Sequence, residues 1–154
     1  MGITNPDLNL TAEEKADKKR SISLANPLTY YERYVMIRTV LEEVGIEASR
    51  FAIVPLPINH PELYRYYVPL DAFFFLSICD DWGRKKLEYF HSMGLKTHVL
   101  WEVPLEKKGI SAEDIRGLML HGEPWKHLVP PYVAIHQINN LYNKFSFIPF
   151  HYKN

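Results

Sequence analysis

Only one cysteine, Cys79, stands among the 154 residues, so neither an internal disulfide nor a thiolate zinc cluster can form. Neither sign of charge is in excess, since 18 Lys and Arg face 18 Asp and Glu. A chain without net charge exerts no long-range pull on nucleic acid or on an anionic membrane, and neither is expected as a partner. No apolar run approaches the roughly eighteen residues that a membrane helix needs, and no signal-peptide pattern opens the chain. These absences together point to a reducing, cytoplasmic setting. The fingerprints G-x-S-x-G, Walker A and G-x-G-x-x-G are missing as well. His60, His91, His98, His121, His127, His136 and His151 have no companions at metal-ligand spacing, so they read as surface or partly buried imidazoles and no protein-held metal is expected. There is no internal repeat and no low-complexity tract.

What is present is enough for a core. Apolar residues make up 47% and aromatic residues 14%, which excludes disorder across the whole chain and fits one domain over residues 1–154. Residues 1–25 read as a polar loop, with a mixed charge run from Glu13 to Arg20 that is either a solvated segment or a basic loop over an anionic ligand. Thr29-Tyr30-Tyr31-Glu32 fits a capping box, followed by Ile37, Val40, Leu41 and Val44 at helical spacing, with Gly45 as the stop. Phe51 to Pro55 reads as a buried strand, Pro57 to Pro61 as a loop and Leu63 to Tyr67 as a short helix. The continuous apolar run Asp71 to Ile78 suits an inner parallel strand covered on both faces. Trp82 to Met93 predicts a helix with Leu87 and Phe90 inward and Gly94 closing it. Thr97 to Trp101 predicts a strand. Ser111 and Asp114 form a second capping box, with Ile115, Leu118 and Met119 on one helix face. Pro130-Pro131 precedes a last helix around Tyr132 to Tyr142, so residues 133–154 read as C-terminal helix and tail. Strands alternating with helices at this spacing predict βαβ units and a parallel sheet.

Several side chains carry two readings. Cys79 ends an apolar strand and is either a buried structural thiol or a nucleophile. Asp80 and Asp81 follow that strand's carboxyl end, where they either cap the next helix or touch a ligand. The sharpest local signal is Ile110-Ser111-Ala112-Glu113-Asp114-Ile115-Arg116. A helix amino end presents free N–H groups, the Ser111 hydroxyl adds a donor, and Arg116 can fork onto phosphate oxygens. The alternative is a plain capping box with a surface arginine.

Ile110 to Arg116 resembles the I-S-x-T-x-x-R motif of the nucleotidylyltransferase superfamily. Asn26 to Arg33 resembles the N-P-F-T-x-x-E-R segment of its archaeal-type nicotinamide mononucleotide adenylyltransferases. Val54 to Asn59 resembles their V-P-x-P-D-I-N loop, and Gly122 to Pro130 their G-x-x-W-x-x-L-V-P ending. These matches occur in the right order across a family-like core, residues 26–132.

The resemblance implies a Rossmann-like doubly wound parallel sheet and adenylyl transfer from ATP to a pyridine mononucleotide, nicotinamide or nicotinate, with Mg²⁺ on the triphosphate. It places Ser111 and Arg116 on ATP phosphates, Asn59 and Tyr64 on the pyridine nucleotide, and Thr29 and Arg33 in a family motif. Departures are also visible. No H-x-G-H occurs, Glu113 stands where the family has Thr, and Ser77 to Gly83 replaces its T-G-N turn. The fold is therefore expected without its first strand and first helix, the chain starting where the second strand ends, as a fragment or a late-start gene product. Two other classes remain open beside the enzyme. One is a nucleotide-binding module without catalysis. The other is a homo-oligomer or partner protein whose sheet is completed by a strand from another chain, presenting the aromatic Tyr64-Arg65-Tyr66-Tyr67 surface.

Overall fold

The computed structural model describes residues 1–4 and 27–135. The charge run of residues 13–20, Asn26, and the last helix beyond Ile135 lie outside the described residues. Four strands, β1 (Gly2–Thr4), β2 (Val54–Leu56), β3 (Phe73–Ile78) and β4 (Lys96–Glu102), accompany three longer helices, α1 (Tyr30–Glu43), α2 (Asp81–Ser92) and α3 (Ala112–Leu120). The fold is mixed α/β with parallel strands, as expected.

Helix starts follow the local chemistry. At α1 the Thr29 hydroxyl accepts from the Glu32 N–H at 3.2 Å, and Glu32 accepts from the Thr29 N–H at 2.7 Å. At α2 the Asp80 carboxylate accepts from the Gly83 N–H at 2.8 Å, so Asp80 caps that helix. The close of α2 is set by Gly94, whose φ of +70° lets the Leu95 N–H reach back to the Phe90 carbonyl at 3.1 Å. Residues 131–135 begin another helix after Pro130.

The strands form two separate parallel pairs, β1 with β2 and β3 with β4. The expected single sheet is thus divided: among the described residues no strand hydrogen-bonds one pair to the other. What joins them is packing. Leu56 of β2 and Leu76 of β3 share one buried cluster with Ile58, Tyr64, Phe90 and Leu95. Phe90 is its centre, meeting Phe74 edge-on at 5.3 Å and Tyr64 at 6.2 Å between ring centroids.

Two sequence expectations shift. The strand expected at Phe51 to Pro55 forms at Val54–Leu56, because its register is set by pairing with β1, Gly2 opposite Val54 and Thr4 opposite Leu56. Among the described residues β3 is covered on one face. Phe74, Leu76 and Ile78 turn toward α2 and the core, while Phe73 and Phe75 are each 61% exposed. Alternation in a strand sends neighbouring side chains to opposite faces, so a continuous apolar run cannot by itself report how many faces are covered. Cys79, at the strand's end, is half-buried.

Tyr64 is 1% exposed and donates its hydroxyl to the Ile58 carbonyl at 2.7 Å. Tyr64→Phe leaves that carbonyl without its donor and is expected to cost about 1 kcal/mol, whereas Phe90→Ala empties the centre of the cluster and is expected to cost about 3–5 kcal/mol. Urea melts with an unchanged denaturant slope check both; equal losses would contradict this account of the core.

Candidate nucleotide site

In open α/β folds ligands bind outside the carboxyl ends of parallel strands. Here those ends lead into the segments singled out in the sequence: Thr4 closes β1, the Pro57–Asn59 turn follows β2, Asp80 follows β3, and the loop to Ser111 follows β4. A hollow of about 260 Å³ lined by Tyr34, Arg38, Phe51 and Ile53 lies beside the amino end of β2 instead and contains none of the expected site residues.

The amino ends of α1 and α3 are brought together by a second apolar cluster. Met119 and Trp125 are buried in it, with Leu28, Ile115, Leu118 and Val129 packed around them. Leu28, next to the α1 cap, and Ile115, next to Arg116, both pack into this cluster, so it links the start of α1 to α3. Ile115, Leu118 and Met119 share the helix face the sequence predicts.

Ser111 caps α3 with a complete box. Its hydroxyl accepts from the Asp114 N–H at 3.2 Å, while its own N–H and O–H both donate to the Asp114 carboxylate, at 2.7 and 2.6 Å. The Ser111 donors expected to serve a phosphate are therefore engaged by Asp114, and Asp114 must turn away before either can be offered. These two bonds, helped by Lys108, hold the Asp114 carboxyl below its ordinary value.

Arg116 is half-buried and, among the described residues, makes no hydrogen bond or ion pair. Burial pushes its guanidinium down, partly offset by Glu113. A desolvated guanidinium of this kind gains most from an anionic partner. Arg33 is half-buried too, with its pKa lowered by burial. It donates to the Thr4 carbonyl at 2.7 Å and to the Thr29 carbonyl at 3.4 Å, tying the end of β1 to the start of α1.

Asn59 stands half-buried in the turn closed by the His60 N–H on the Pro57 carbonyl at 2.8 Å. Tyr64 lies in the short helical segment Pro61–Tyr66. Its ring, expected to stack on a pyridine, is sealed in the core, and burial raises its phenol pKa. Short-range reasoning could not see this, because the ring is buried by Phe90, a residue from α2. What Tyr64 does is brace the Ile58 carbonyl beside Asn59. Sequence reasoning also missed Arg84, whose guanidinium joins the first turn of α2 to Glu102 at the end of β4, at 2.8 Å. Nothing in the sequence marks that pair. Among the described residues no three His, Cys, Asp or Glu side chains converge as metal ligands. No helix there is long and apolar enough to cross a membrane.

Parallel strands leading into capped helix ends, with a half-buried arginine on the last of them, make an α/β arrangement of the kind in which phosphate is commonly held. Relatives make the class specific. The chain is 45% identical over 134 residues to phosphonoformate cytidylyltransferase of Streptomyces viridochromogenes, which covers 87% of this chain and 72% of that protein. It is 34% identical over 115 residues to nicotinamide-nucleotide adenylyltransferase of Thermococcus onnurineus, across 74% of this chain and 59% of the other. The same-named enzyme of Pyrococcus furiosus is 36% identical over 117 residues, across 74% of this chain and 60% of its own length. The match thus spans less than two thirds of these adenylyltransferases. No family model and no solved structure matches the chain. The chain belongs to the nucleotidyltransferase superfamily.

The Asp114 box carries a pH signature. A carboxyl held below its ordinary value stabilises the folded chain fully above that ordinary range, and the contribution is lost as pH falls through the depressed value. Wild type and Asp114→Asn are expected to melt apart near neutral pH and to converge in acid, where Asp114 is protonated. Thermal melts across the acid range check this; a gap that does not change with pH overturns it.

Proposed function

We propose that this chain forms the triphosphate-holding part of a nucleotidyltransferase that moves a cytidylyl group from CTP to a small phosphonate acid of the phosphonoformate kind. An acceptor oxyanion attacks the α-phosphorus of the triphosphate, a new P–O bond forms, the α–β bridging bond breaks and pyrophosphate leaves. Such transfers ask the protein mainly for positioning and for neutralisation of charge. The observation that carries this reading is Arg116: a half-buried guanidinium on the helix that Ser111 caps, with no side-chain hydrogen bond or ion pair among the described residues. Mg²⁺ accompanies the triphosphate as part of the substrate. The 45% identity to the cytidylyltransferase supports CTP and a phosphonate acceptor.

Adenylyl transfer from ATP to nicotinamide or nicotinate mononucleotide is the second reading. It is favoured by the segments Asn26 to Arg33, Val54 to Asn59 and Gly122 to Pro130 and by the adenylyltransferase relatives. The burial of Tyr64 speaks against this reading, since the resemblance puts that ring on the pyridine nucleotide. In either reading Asn59, on the turn after β2, faces the acceptor side, and Ser111 joins Arg116 at the triphosphate once Asp114 releases it. Arg33 and Thr29 hold the wall between β1 and α1.

Pyrophosphate release is measured with CTP or ATP against phosphonoformate, nicotinamide mononucleotide and nicotinate mononucleotide. Turnover with CTP and phosphonoformate is the expected result. Turnover confined to ATP and a mononucleotide selects the second reading, and nucleotide binding without pyrophosphate release makes the chain a binding module. Arg116→Ala is expected to weaken triphosphate binding by about 1.5–3 kcal/mol, as loss of a charge-assisted contact does. Calorimetric titration with the nucleotide checks it, and unchanged affinity removes the phosphate role of Arg116.

A further inference from the structure

We propose that Trp125 is a positioning residue for Arg116 and sets the guanidinium's geometry toward the triphosphate. This rests on the reading of Arg116 as the anion-holding group. On α3, Arg116 stands one turn before Met119, at a spacing that makes the two helix-surface neighbours. Helical side chains lean toward the amino end, so the Met119 side chain lies over the turn that carries Arg116. Met119 is 5% exposed, and the residue that buries with it is Trp125, at 6%.

The route of the chain leaves the indole little choice. α3 ends at Leu120, Gly122 with its φ of +70° then reverses the backbone, and the Glu123 N–H closes the reversal on the Leu118 carbonyl at 2.9 Å. A 3-10 turn at Lys126–Leu128 follows at once, with the Leu128 N–H on the Trp125 carbonyl at 2.9 Å. Trp125 is thereby fixed between two hydrogen-bonded turns and pressed back on the helix it has just left. By the i, i+3 spacing the Arg116 stem is the helix-surface neighbour of a methionine held in that cluster. Methionine is the most adaptable of the apolar side chains, so its position is set by what lies behind it. Without the indole, Met119 gains room, the neighbouring stem loses its support, and the guanidinium samples more rotamers.

A double-mutant cycle on the full chain decides the matter, with inorganic tripolyphosphate as the probe and calorimetry as the readout. Trp125→Ala is expected to weaken tripolyphosphate binding about tenfold, the scale on which a small misplacement of a binding group acts. The double variant with Arg116→Ala is expected to bind no more weakly than Arg116→Ala alone, because the two act as one unit. Trp125→Phe, which keeps an aromatic ring against Met119, is expected to recover most of the affinity. A purely structural tryptophan gives neither the non-additivity nor the rescue. Wild-type affinity in Trp125→Ala, or losses that multiply in the double variant, overturns the proposal. If Trp125→Ala does not fold, Trp125→Leu takes its place in the cycle under the same criteria. Wild-type protein that ignores tripolyphosphate overturns the Arg116 reading itself, an outcome distinct from additive losses in a protein that binds.

Discussion

Burial of Trp125 against Met119 anchors the small apolar cluster from which the candidate site is built. Each of these side chains is almost wholly removed from water, and burial of a large apolar side chain contributes about 1.5–3 kcal/mol. Leu28, Ile115, Leu118 and Val129 complete the cluster from three separate stretches of chain. Those stretches carry the helix starts with Thr29 and Arg33, with Ser111 and Arg116, and the reversal through Gly122. A small apolar core thus links the start of α1 to α3, two stretches that share no hydrogen bond among the described residues.

The electrostatics of that neighbourhood are uneven. Arg33 and Arg116 are both partly desolvated, which lowers their pKa values. Arg33 spends its donors on backbone carbonyls at the end of β1 and the start of α1, so its role is to hold a wall. Arg116 has no such commitment among the described residues. Around it, the first turn of α3 carries Glu113 and Asp114, and Asp114 occupies both donors of Ser111. In the proposed reading an incoming polyphosphate competes with the protein's own carboxylate at the helix end. The guanidinium, placed farther along the helix, is the group that favours the incoming anion in that competition.

The larger core works on a different principle. Among the described residues the two parallel strand pairs are not hydrogen-bonded to one another, yet Leu56 and Leu76 enter one cluster around Phe90 and Tyr64. Apolar contact is non-directional and can bridge strands that backbone hydrogen bonds do not. The same cluster holds the Tyr64 hydroxyl against Ile58, and so steadies the turn bearing Asn59. Phe73 and Phe75, on the other face of β3, take no part in it.

The sequence by itself determined the ends of the helices and the class of the fold. Both capping boxes, at Thr29 and Ser111, close within three residues, so every partner is present in the local text. The helical face of Ile115, Leu118 and Met119 follows from the 3.6-residue period, and the alternation of strands with helices from element spacing. The family was legible in the segments around Asn26, Val54, Ser111 and Gly122. What only the tertiary structure decided lies in contacts between distant elements: Arg33 on Thr4, Arg84 on Glu102, Tyr64 behind Phe90, and Leu28 beside Met119 and Trp125. The division of the strands into two pairs belongs with them. These pairings depend on where whole elements settle, and that is fixed by the summed burial of many side chains rather than by any short stretch of residues.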